Sequence, residues 1–154
     1  MSTTHHTTRR FAETPVQKAA LVFGIVFFIV GLGGFIPGLT QDVESLQFAG
    51  HESHAMLMGV FQVSILHNIV HLLYGVVGVL AARTFGGAKQ FLIWGGAVYA
   101  LLWLYGLVVP DEHAANFVPL NTADDWLHFV LAAAMIALGV LLGRRAAHAT
   151  HDRR

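Results

Sequence analysis

Three histidines stand where histidine is costly, inside long apolar stretches: His67 and His71 in one, His128 in another. An ionisable side chain at membrane depth pays heavily for desolvation, so it faces a bundle interior or a cavity and marks a place where chemistry can occur. His67-Asn68-Ile69-Val70-His71 sets two imidazoles one helical turn apart on one face, which Ser64 and Tyr74 extend. Three chemistries suit such a set. His67 or His71 with His128 would supply imidazoles from two helices to a haem iron. His67, His71 and His128, with Asp124, would instead hold Zn or Cu, since imidazoles at i, i+4 can chelate one ion. The His and Tyr groups would otherwise bind a quinone or carry protons. The His-x-x-x-His spacing is shared with zinc proteases, but Asn68 stands in the place of the catalytic Glu, which disfavours hydrolysis. Against all three stands a structural role, in which His67, Asn68, His71 and Tyr105 hydrogen-bond between helices and hold the bundle together.

Depth follows from counting along the helices. His67 is 16 residues from Arg83, His128 is 16 from Arg144, and Tyr105 is 16 from Lys89. At 1.5 Å per residue all three lie about 24 Å from the boundary set by those basic residues, with His71 at about 18 Å. Asp124 precedes His128 by one turn, so its carboxylate is placed to fix the imidazole tautomer. Asn121 or Thr122 would cap the same helix, and early carboxylates favour the positive end of its dipole. Loops carrying His51, His54, His113, Asn121 and the acidic residues imply a polar vestibule above this level.

The elements that hold these residues are membrane spans. The chain is 55% hydrophobic and 12% charged over 154 residues, too apolar for a water-covered domain. Four spans are predicted, over about Val16 to Ile36, Met56 to Ala82, Gln90 to Val109 and Trp126 to Gly143, with Pro37-Gly38 and Pro110 as stops. Arg83 to Lys89 reads as a tight turn whose glycines supply unusual backbone angles. All nine Lys and Arg lie at one end of the spans, whereas seven of nine Asp and Glu lie at the other. The positive-inside tendency then puts both termini and the middle loop in the cytoplasm. Residues 1–14 and 146–154 read as polar cytoplasmic tails around a transmembrane domain of residues 15–145, and their His5, His6, His148 and His151 as solvated. The basic groups meet anionic lipid headgroups, so the bilayer is the expected partner and nucleic acid is not. Zero Cys excludes disulfides, thiolate metal sites and thiol nucleophiles, so the outer loops must be held otherwise. The first stretch is longer than a signal-peptide core and lacks a small-x-small cleavage site, so it reads as a retained span.

The halves repeat. Lys18-x-x-Leu21-x-x-Gly24 matches Lys89-x-x-Leu92-x-x-Gly95, and aligning Arg83 with Arg144 places Leu66-His67 on Leu127-His128. Corresponding spans run the same way, which gives two parallel helical hairpins about an axis along the membrane normal. Glycines such as Gly75, Gly78 and Gly139 allow close helix approach within one bundle, or within a homo-oligomer. No Glu occurs within a span, which argues against a di-iron carboxylate centre.

Ser64-Ile65-Leu66-His67-Asn68-Ile69-Val70-His71-Leu72-Leu73-Tyr74-Gly75 and Pro119-Leu120-Asn121-Thr122-Ala123-Asp124-Asp125-Trp126-Leu127-His128 resemble the family termed domain of unknown function 4383. The resemblance covers about Ala19 to Gly143 and implies a small four-span membrane protein of the kind found chiefly in actinobacteria. It draws attention to the His-Asn-x-x-His and Asn-Thr-Ala-Asp segments and names no ligand. The expectation is an all-α integral membrane four-helix bundle in a bacterial plasma membrane. Its role is that of an accessory or structural component without catalysis, alone or with a membrane-complex partner. The alternative is a ligand-binding protein with an outer-leaflet site of His67, His71, His128 and Asp124, supported by Asn68, Tyr105 and Asn121, for haem, Zn/Cu or quinone.

Overall fold

The computed structural model describes the backbone of residues 11–151 and the side chains of residues 11–144. His5, His6 and the side chains of His148 and His151 lie outside the described residues. Each helix starts at a residue that can replace a missing backbone partner. Thr14 caps α1 (Pro15–Gly33) in a reciprocal box with Gln17, and Pro15 supplies the preset first turn. Ser64 caps α2 (Ile65–Ala81) by accepting from the His67 N–H at 3.1 Å, and Thr84 caps α3 (Phe85–Val108) through Gly87 at 3.0 Å. Asn121 does the same for α4 (Thr122–His151), its Oδ1 accepting from Ala123 at 2.9 Å and Asp124 at 3.0 Å.

Helices α1 and α2 pack along each other, as do α3 and α4, and the two hairpins dock into one four-helix bundle. Glycine sets the approach within each pair. A Cβ on Gly24 would lie 2.7 Å from the Val79 nitrogen, and one on Gly75 2.6 Å from the Phe28 nitrogen, so α1 and α2 touch backbone to backbone. In the second hairpin a Cβ on Gly96 would meet the Ala132 carbonyl oxygen at 3.1 Å. Small residues at such crossings let dispersion contacts hold helices together where lipid removes the hydrophobic drive. Phe27, Phe91, Leu92, Tyr99 and Met135 fill the centre, where the hairpins meet.

The bundle's outer surface is as apolar as its core: Val22, Ile29, Leu73, Trp94, Leu101, Val108 and Val130 are all exposed. Helices apolar all round belong in lipid. α1, α3 and Thr122–Arg144 of α4 are each long and apolar enough to cross a membrane. α2 is apolar but only 17 residues, or about 26 Å, against a hydrocarbon core of ~30 Å. The chain is therefore an all-α membrane bundle, with a small sheet at one end.

That sheet corrects the expected second span. Met56 to Gln62 are not helical; β1 (Thr40–Gln41), β2 (Met56–Leu57) and β3 (Phe61–Gln62) pair antiparallel in the order β1-β2-β3. Met58 and Gly59, at φ of 54° and 70°, turn the chain between β2 and β3, a left-handed conformation that ends any helix started upstream. The α2–α3 turn is also shorter than expected. Gly86 and Gly87 lie in the first turn of α3 and do not supply unusual angles, so only Ala82 to Thr84 link the helices. Ala82 closes this end of the first hairpin, its carbonyl accepting from the Gln17 side chain at 2.9 Å.

Without cysteine, buried polar side chains hold the sheet end. Ser53 donates to the Val63 carbonyl at 2.6 Å and accepts from Gln47, and Thr40 donates to the Gly33 carbonyl at 2.9 Å. Asn116 pins residues 111–120 by donating to the Asp111 and Leu120 carbonyls and accepting from the Leu120 N–H.

Candidate functional site

The cap on Ser64 fixes the first turn of α2, and with it the direction of His67 and His71. Their rings stack with centroids 4.4 Å apart and planes 2° from parallel. His71 Nδ1 lies 3.1 Å from the His67 carbonyl oxygen, which can only accept, so Nδ1 carries the proton. Its Nε2, 3.3 Å from the Tyr99 hydroxyl, is then the acceptor. Tyr99 is the hub of this region. Its ring stacks on Phe27 at 5.2 Å and meets His128 edge-on at 5.1 Å. One aromatic of α3 thus joins the histidines of α2 to that of α4.

His67, His71, His128 and Tyr99 line one cavity of about 230 Å³ between α2, α3 and α4. Ser64 and Tyr74 are also on its wall, but most of the lining is hydrocarbon from Leu66, Val70, Val98, Leu102, Phe117 and Val118. In place of the polar vestibule expected near the histidines, the 111–118 segment contributes the apolar Phe117 and Val118 to the cavity wall. His71 has partners on both nitrogens. In contrast, Nδ1 of His67 and Nδ1 of His128 are buried with no hydrogen-bond partner. A buried polar atom left so costs about 1–3 kcal/mol, and these two sit on helices of different hairpins.

The other expected site residues lie elsewhere. Asp124 is buried, yet no hydrogen bond joins it to His128: its Oδ2 accepts from the backbone N–H of Gln62 at 3.0 Å and of Asn121 at 3.2 Å. The predicted tautomer-fixing pair is therefore corrected to a clamp between β3 and α4. Asn121 completes the clamp by donating to the Val60 carbonyl at 2.8 Å while capping α4. Asn68 faces α1, where its amide occupies the space a Cβ on Gly34 would need. Tyr105 holds the 111–118 segment, donating to the Ala115 carbonyl and accepting from the Phe117 N–H. Of the residues at the expected common level, His67 and His128 share the cavity and Tyr105 does not.

The expected Zn or Cu donor set is not assembled. Stacked rings direct their in-plane lone pairs side by side rather than toward one point, and among the described residues no three His, Asp or Glu are grouped to hold a metal ion. A haem between His71 and His128 would have to displace the Tyr99 hydroxyl from His71 Nε2, and the cavity lies below the ~300 Å³ at which ligand pockets usually begin. Tyr99 was absent from the sequence-derived set although the same count finds it: ten residues from Lys89 puts it at about 15 Å, near His71.

A family model, domain of unknown function (DUF4383), matches residues 17–141. The chain belongs to this family. Every cavity-lining residue, from Ser64 to His128, falls within the part matched to DUF4383. A search of curated proteins and a search of solved structures each found no match.

Proposed function

We propose that this DUF4383 member is a four-span plasma-membrane component that holds a small, uncharged, lipid-soluble organic molecule in its histidine cavity, without catalysis. Among the chemistries open to the sequence, a quinone fits best: flat, apolar, and able to accept hydrogen bonds from neutral imidazoles. One observation carries this reading. His67 and His128 line the cavity and have buried Nδ1 atoms without a hydrogen-bond partner, a cost that a guest with a carbonyl or hydroxyl would relieve once the rings turn toward it. An accessory role without any ligand is favoured by a different observation: His71, Tyr99, Asp124 and Asn121 are all engaged in bonds between elements.

The test is untagged protein purified in mild detergent from its native membrane, assayed for iron, copper and zinc and extracted for lipid-soluble molecules. Metal-free protein carrying a near-stoichiometric organic molecule, lost in a His67→Phe or His128→Phe variant, is the expected result. Stoichiometric metal, or folded protein that neither retains nor accepts a quinone, would overturn it; the latter would leave the accessory role.

The proposed topology has both termini and Ala82–Thr84 in the cytoplasm and the sheet on the far side of a bacterial plasma membrane. It is supported by the segregation of Lys and Arg from Asp and Glu and by the pairing of helices into hairpins. The cysteine-free chain makes the test clean. An impermeant maleimide should label Glu44→Cys in intact cells and Gly86→Cys only after permeabilisation; the reverse would invert the topology.

A further inference from the structure

The histidine cavity is not isolated. A second, more open hollow, also about 230 Å³, adjoins it and shares Val98, Leu102, Phe117 and Val118 as common wall. Beyond that wall it is bounded by Leu101 and Tyr105 on the outer face of α3. Val70 and Val98, beside the histidine cavity, are 47% and 46% exposed, and Leu101 is 66% exposed. In a membrane bundle such side chains meet acyl chains, so the mouth of this double hollow faces the bilayer rather than water. Within it the polar groups lie at one end and hydrocarbon at the other. The histidines and Tyr99 are at the deep end, whereas the shallow end offers hydrocarbon apart from Tyr105, whose hydroxyl is taken by Ala115 and Phe117.

We infer that the ligand is a tailed amphiphile that enters from the bilayer between α2 and α3, its hydrogen-bonding head against His67 and His128 and its hydrocarbon chain in the hollow beside Leu101. The inference rests on the proposed binding function and adds the molecule's shape and route. A compact water-soluble ligand would leave the shallow hollow unfilled and gain nothing from its hydrocarbon wall. A lipid with its head in the cavity matches both ends and needs no aqueous path. Tyr105 has a place in this arrangement: by holding the Phe117 backbone it keeps the shared wall at a fixed distance from α3.

The experiment uses the full chain in lipid nanodiscs and two probes, a methylated naphthoquinone without a side chain and the same ring bearing a long isoprenoid chain with a diazirine on it. Illumination should cross-link the tailed probe to peptides containing Leu101 or Phe117, and unlabelled tailed quinone should compete. Leu101→Trp, which fills the shallow hollow, should weaken the tailed probe about tenfold while leaving the bare ring unaffected; His128→Phe should weaken both. If both probes bind wild-type protein but labelling falls outside the α3 and 111–118 segments, or Leu101→Trp weakens neither, the tailed ligand is wrong and the cavity reading stands. If neither probe binds, the cavity reading fails with it. The cross-linking arm needs no variant, so a misfolded Leu101→Trp protein does not decide the matter.

Discussion

Around Gly24 and Gly78 the helices of the first hairpin touch backbone to backbone, and a methyl group added at either glycine would overlap the neighbouring chain. Toward the sheet end the same α2 stands away from α3 and α4 around a cavity of about 230 Å³, lined in part by His67 and His128, whose Nδ1 atoms are unpaired. The two regions are built from similar apolar sequence, so hydrophobicity does not distinguish them. Residue size and polar pairing do. Glycine brings helices into contact where nothing need pass, and histidine, tyrosine and valine keep them apart where something can be held.

Enlarging a side chain in the two regions should break or keep this contrast most visibly. Gly24→Leu should destabilise the bundle by about 3 kcal/mol or prevent folding, because both neighbours are backbone. Val70→Phe, beside the cavity mouth, should change stability by no more than about 0.5 kcal/mol. Thermal unfolding in detergent followed by circular dichroism compares them, and equal losses would erase the distinction. Next in size is Asp124→Ala, expected to cost about 2 kcal/mol by orphaning the Gln62 and Asn121 amides, with faster hydrogen exchange at both. A smaller and more telling pair is His71→Leu against His128→Leu. The first should cost about 1.5 kcal/mol by stranding the Tyr99 hydroxyl, while the second should raise the stability of empty protein by about 1 kcal/mol. A loss at His128 equal to that at His71 would mean that both are structural. An effect near the low end, about 1 kcal/mol, is expected for Tyr99→Phe, which keeps the ring contacts but leaves the buried Nε2 of His71 without its donor.

Much of this architecture is legible in the sequence because the helices carry local signals. Thr14, Ser64, Thr84 and Asn121 are the capping residue types, each set just before an apolar run, and three of the four bounds predicted from hydropathy alone start later or earlier than these caps by several residues. Counting rise along a helix also brings His67 and His128 to one cavity. It cannot give azimuth, and so it placed Tyr105 with them and passed over Tyr99, which points into the centre where Tyr105 points at the 111–118 segment. The sheet is invisible to periodicity, since two-residue strands contain no period. Met56, Leu57 and Phe61 simply extend the apolar run toward α2, and Gly59 in the turn and the capping Ser64 are the local signs that the helix has not begun. Asp124 reads as a partner for the His128 ring one turn on, yet it is buried at the start of α4 answering the backbone N–H groups of Gln62 and Asn121, which a count along one helix cannot show.

The clamp formed by Asn121 and Asp124 reaches beyond the two residues themselves. It ties β3 to the first turn of α4, where Asp124 stands four residues before His128, whose ring meets Tyr99. A displacement of β3 would therefore pass, through two amides and a carboxylate, to the end of the helix that carries one wall of the cavity. The small sheet and that wall of the cavity are thus joined by hydrogen bonds as well as by the chain, so neither can shift alone without breaking them.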